Sequence, residues 1–202
     1  MMSLFSCSPN YLKNYTVLNN SDISIPTIFN SKLSKSLYKA NLKVMGNELS
    51  GVCLIKKLNE TEFRLVFMSE IGMKYFDIGI DFNNKKPEFT VYYFVSVLDR
   101  GEVKQVLLND IAALLNEYAN NSKVFVFKHK SSGDIALKNS FDFYNYYSFR
   151  YSGENKIKNV KWNAKPEGKS EIFITDYQNS LPSDIKINNA KYSLGFNLKL
   201  IK

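Results

Sequence analysis

The sequence predicts a mostly β, α+β protein: a single large antiparallel sheet curled around one helix. Three observations predict it. Apolar and polar residues alternate with period two in segment after segment, each bounded by Gly, Asn, Pro or Ser. The period changes to about 3.6 at one place, after Leu98. Connections are short, and the chain shows no internal repeat, low-complexity block or domain linker. Roughly ten to eleven strands result.

A chain of 202 residues is long enough to bury a full core. Its 45% hydrophobic and 14% aromatic content place it among folded proteins. The formal net charge of +8 comes almost wholly from Lys, with Arg only at Arg64, Arg100 and Arg150. Nucleic-acid readers use Arg forks and clustered basic faces. Here Lys is scattered through every segment, which fits a solubilising charge or attraction to anionic lipid, and no nucleic-acid partner is expected. Two cysteines, Cys7 and Cys53, are too few for a disulfide framework. No apolar run approaches the ~20 residues that cross a bilayer.

The chain opens Met-Met-Ser-Leu-Phe-Ser-Cys. Leu4, three places before Cys7 with Ser6 directly before it, gives a lipobox-like pattern, although the basic and apolar regions of a signal peptide are absent. Residues 1–24 therefore read as a truncated signal/lipobox and tether, and 25–202 as the folded domain. The plain alternative for Cys7 is a free surface thiol. A short helix is expected over Ile25–Leu37, after Pro26. Strands follow at Ser36–Val44 and Leu49–Lys57, joined by a turn at Met45-Gly46-Asn47-Glu48. Gly51 marks a bend or close backbone approach, and Cys53 a small buried hydrophobe.

Thr61–Phe82 reads as a hairpin, with Phe63, Leu65 and Phe67 before the turn and Phe76, Ile78 and Ile80 after it. Its tip, Ser69-Glu70-Ile71-Gly72-Met73, carries two large apolar side chains where polar residues are usual. Either Ile71 folds back onto its own sheet, or the tip is an apolar finger for a membrane or a partner's groove. Phe89–Val97 is apolar on both faces and reads as covered on both. Val103, Val106, Leu107, Ile111, Leu114 and Leu115 then fall at helical spacing, giving an amphipathic helix from Leu98 to about Tyr118. The remainder is strand: Lys123–His129, Asp134–Lys138, the aromatic Phe141–Tyr151, Ile157–Trp162, Glu171–Asp176 and two closing segments to Leu200.

Catalytic chemistry is sparse. His129 is the only His, there is no Gly-rich phosphate loop, and no metal or cofactor is expected. Glu60, Glu62, Asp77 and Asp81 fall on alternating strand positions and read as solvent-facing, and Asp77, between Phe76 and Ile78, is the one acid to examine for burial. Nothing reads as an enzyme.

The order of elements and the short motifs quoted above resemble the LolA/LolB lipoprotein carriers, LolB-like outer-membrane lipoproteins in particular. The resemblance spans about Leu37 to Leu200. In LolB-like proteins the corresponding turn reads Asn-Pro-Leu-Gly, and its exposed Leu is associated with inserting lipoproteins into the membrane. Ile71 takes that position, with Glu70 where Pro is expected. The resemblance implies an open half-barrel closed by the helix around a hydrophobic cavity. Phe63, Leu65, Phe67, Phe76, Ile78, Tyr93 and Phe143, with Val103 and Leu107 from the helix, would line it. It further implies a monomeric lipoprotein of the outer membrane, facing the periplasm and anchored through Cys7. Its partners would be acyl chains of lipoproteins, a LolA-like periplasmic carrier and outer-membrane lipids. The same alternation fits a dry packed core, so a non-catalytic periplasmic lipoprotein that binds a lipid or a protein through its curved sheet is the alternative. A one-residue register shift would exchange the inward and outward faces.

Overall fold

A computed structural model of the chain describes residues 11–18, 28–29, 33–84, 86–115, 124–141, 144–150, 156–164 and 168–201. They form thirteen strands and one helix in chain order. The strands are β1 (Tyr15–Val17), β2 (Lys35–Val44), β3 (Asn47–Lys57), β4 (Glu62–Met68), β5 (Lys74–Asp81) and β6 (Glu88–Phe94). Helix α1 (Gly101–Leu115) follows. Then come β7 (Val124–His129), β8 (Ile135–Phe141), β9 (Tyr144–Arg150), β10 (Asn159–Ala164), β11 (Gly168–Gln178), β12 (Leu181–Asn189) and β13 (Leu194–Leu200).

The local chemistry explains the meander. β2 buries Tyr38, Ala40, Leu42 and Val44 on one face and turns Lys39 and Lys43 outward. Met45 and Gly46 both take positive φ, the two-residue turn whose twist suits an antiparallel hairpin, and Val44 pairs with Asn47 beyond it. Asn179 and Ser180 repeat the device between β11 and β12. All strands pair antiparallel in one sheet of order β1-β7-β8-β9-β10-β11-β12-β13-β2-β3-β4-β5-β6. Two meanders, β2–β6 and β7–β13, thus join at β13 and β2, where Leu198 faces Ala40 and Phe196 faces Leu42. Because β6 ends one flank of the sheet and β7 lies near the other, α1 carries the chain back across the inner face. Every residue of α1 from Val106 to Leu115 is buried, as expected of a helix enclosed by a curled sheet.

Several expectations need correction. The sheet has thirteen strands, not ten or eleven. One addition is β1, three residues of the stretch read as tether, which pairs Tyr15–Val17 with Phe127–His129 and is too short for alternation to register. The expected helix over Ile25–Leu37 does not reach its end, since Lys35–Leu37 belongs to β2. Phe89–Val97 is not covered on both faces. Among the described residues β6 is an edge strand of the sheet, with Tyr92 59% exposed.

Candidate functional site

The β4–β5 tip points into solvent. Ile71 is 92% exposed and Met73 54%, so Ile71 does not fold back onto the sheet. The turn is nonetheless closed. Ser69 N–H donates to Met73 O at 2.8 Å, Gly72 N–H to Ser69 O at 3.0 Å, and Met73 N–H to Ser69 Oγ at 3.0 Å. Gly72 sits at φ +88°, a conformation that L side chains rarely adopt. Glu70 is exposed beside it.

The base of the tip is fastened from two sides. Beneath it, the Met68 carbonyl presses on Gly51 of β3 so closely that a Cβ there would stand 2.0 Å from the oxygen. On the outer face Asp77 accepts from Arg64 Nε at 2.9 Å and from Lys74 Nζ at 2.8 Å. The Arg64 guanidinium, then Lys74, hold its carboxyl below the usual carboxylate range against the opposing effect of burial. Lys74 directly follows the tip, so this ion cluster fixes where the finger leaves the sheet.

The inner face gathers most of the apolar residues singled out from the sequence. Phe63, Leu65, Phe67, Phe76 and Ile78 are fully buried, in one cluster with Val103 and Leu107 of α1. Phe67, tilted, and Phe76, edge-on, pack against the Phe196 ring with centroids 5.5 and 6.2 Å away. Tyr93 does not join them. A bulge between Asp77 and Ile78 shifts the β5–β6 register, Tyr93 pairs with outward-facing Asp77, and it is 43% exposed. Phe94 takes the inward place and stacks on Phe76 at 5.8 Å. Phe143 and Cys7 lie outside the described residues. A groove of about 350 Å³ on the opposite face, over β2, β3, β12 and β13, is rimmed by Lys39, Asn41, Lys186, Asn197 and Lys199.

Sequence reasoning missed a second interior feature. Asp110 of α1 is fully buried, and its Oδ1 accepts the Trp162 indole N–H at 2.7 Å. Burial pushes its carboxyl up to about 7, against the pull of the Ser170 hydroxyl and the Trp162 indole. Ser170, opposite Trp162 in the register, accepts from Asn189 Nδ2 at 2.9 Å. The available signal was Asn109-Asp110 standing inside an otherwise apolar helical run, Val106 to Leu115.

No family model and no curated protein matches the chain. Among solved structures it is similar to a LolA superfamily protein from Nitrosomonas europaea, at 8% identity over 87% of each chain with a TM-score of 0.58. A DUF1329 family protein from Desulfovibrio piger matches at 7% identity over 85% of each chain, with a TM-score of 0.50. The fold is LolA-like.

On this LolA-like frame the described His129, Ser132 and Asp134 do not form a nucleophilic triad. Ser132 Oγ stands between His129 Nδ1, at 3.0 Å, and Asp134 Oδ2, to which it donates at 2.6 Å. A nucleophilic triad places the imidazole between hydroxyl and carboxylate; here the hydroxyl stands between the other two. Burial pushes the Cys53 thiol up to about 12, which leaves it without thiolate at neutral pH. Among the described residues no group of three or more His, Cys, Asp or Glu is placed to hold a metal, and no helix is long and apolar enough to cross a membrane.

Proposed function

We propose that the chain is a non-enzymatic lipoprotein receptor of the LolB type, anchored through Cys7 on the periplasmic face of the outer membrane. It takes acylated proteins from a LolA-like carrier and uses Ile71 to release them into the bilayer. The observation that carries this reading is the tip. Ile71 is 92% exposed and Met73 beside it 54%, on a turn closed by three hydrogen bonds, so the tip holds an apolar pair out in solvent. Burying such a side chain in hydrocarbon contributes about 1.5–3 kcal/mol. A single acyl chain holds a membrane only marginally, so a second apolar contact strengthens attachment at the point of delivery. The LolA-like fold supports a carrier-type interior for acyl chains.

The full burial of Phe63, Leu65, Phe67, Phe76 and Ile78 favours a second reading, a non-catalytic lipoprotein whose closed core binds its partner on an outer surface. One experiment separates the two. A LolA-like carrier loaded with an acylated lipoprotein is mixed with the Cys7→Ala chain, and the cargo is followed by pull-down. Cargo moving to this chain supports the receptor; cargo staying on the carrier while the chain is folded supports the second reading.

A further inference from the structure

The outer face of the sheet, turned away from α1, carries a groove of its own. It lies over β12, β13, β2 and β3 and measures about 350 Å³, a size within the range of small-molecule sites. The strand register builds it. Residues two apart on a strand share a face. Lys39 and Asn41 of β2 therefore stand side by side with Lys199 and Asn197 of β13, their direct partners. On β12, Lys186 stands opposite Asn197 and Asp184 opposite Lys199. Lys186 is thus diagonal to Lys199, a spacing at which long side chains still meet. The three lysines and Asn197 are exposed, and Asn41 and Asp184 are half-buried.

The charges at this place are not balanced. Like charges directly opposite one another destabilise a sheet. Other cations of the outer face are answered by an acid: Lys43 meets Glu48, its register partner, at 3.5 Å, and Lys161 meets Glu171 at 2.7 Å. Arg64, opposite Lys56, is held by Asp77. Lys39 and Lys199 face each other, and neither they nor Lys186 has an ion-pair partner among the described residues. Asn41 is oriented by donating from Nδ2 to Glu48 Oε1 at 2.7 Å, which leaves its Oδ1 to accept.

Three ammonium groups around one groove suit a phosphate, and carboxamide and carboxylate oxygens between them suit hydroxyl donors. We propose that this groove binds a phosphorylated sugar. Its phosphate sits among Lys39, Lys186 and Lys199, and its hydroxyls donate to Asn41 Oδ1 and to Asp184. The site is independent of the carrier reading, since it uses neither the interior nor the tip. A soluble sugar phosphate and the sugar-phosphate headgroup of a lipid share this chemistry.

The test follows the side-chain amide signals of Asn41 and Asn197 by NMR in the full chain, titrated with glucose 6-phosphate or with inorganic phosphate. Pelleting with phosphatidylcholine vesicles, with and without phosphatidylinositol 4-phosphate, is measured alongside. Saturable shifts at both Asn residues with glucose 6-phosphate, at least tenfold tighter than with inorganic phosphate, support a soluble ligand. Pelleting that needs phosphatidylinositol 4-phosphate supports a lipid headgroup. In either case Lys186→Gln or Lys199→Gln should weaken binding about threefold to fivefold, the size of an exposed charge contact. Lys130→Gln, the same charge change on a distant turn, should leave it unaltered. The site is overturned if neither probe binds, if Lys130→Gln weakens binding as much as Lys186→Gln, or if inorganic phosphate binds as tightly as glucose 6-phosphate.

Discussion

The Gly51 backbone lies directly beneath the Met68 carbonyl, with Ser69 Cα also within 2.8 Å of where a Cβ would stand. Pairing of β3 with β4 begins one residue on, at Val52 and Met68. This contact seats the finger on the sheet, since the tip starts at Ser69. Gly51→Ala drives a methyl into backbone that has no flexible end to swing away. The expected loss is about 2–3 kcal/mol, read as a lower urea midpoint with unchanged slope.

Asp110 should make stability fall as pH rises. Its folded pKa is raised above the ordinary carboxylate value, so the native state holds the proton more tightly than the unfolded chain. The contribution is complete below about pH 4 and is lost as pH climbs through about 7. Its size is on the order of 2–4 kcal/mol. Asp110→Asn should flatten stability over this window and exceed wild type at pH 8, checked by urea melts at pH 4, 6 and 8.

Asp77 works in the opposite sense. Its pKa is lowered, so its contribution is present above the ordinary carboxylate value and disappears as pH falls through the folded one. Arg64 and Lys74 are about half exposed, which screens the pairs, and Asp77→Ala should cost only about 1 kcal/mol. The larger expected effect is on the tip. With Lys74 released, amide exchange at Gly72 and Met73 should quicken while Phe63 and Leu65 stay protected.

Much of the fold was legible because its signals are local. Alternation at Tyr38–Val44 and Phe63–Phe67 depends only on which face is buried, and Gly51 betrayed a close approach that no side chain fits. What failed depends on distant pairing. Phe89–Phe94 carries rings on both faces and reads as doubly covered; that it ends the sheet follows from β13 joining β2, a contact across more than 150 residues. Tyr93 turned outward because one bulge changed its parity, and period-two reasoning has no memory of an inserted residue. Asp110 hid for another reason: an acid within a helix reads as the solvent stripe unless something encloses that stripe. At the tip, residue type alone left Ile71 with two placements, and only the closed turn decided between them.

The most direct measurement is delivery of a carrier-bound, acylated lipoprotein into outer-membrane vesicles by wild type and by Ile71→Glu. Ile71 touches no buried cluster, so the variant should fold and still capture cargo in the pull-down. The expected result is capture intact and delivery reduced about tenfold or more, the loss of 1.5–3 kcal/mol of apolar contact. Delivery by Ile71→Glu at the wild-type rate would contradict the claim that the finger inserts cargo into the membrane.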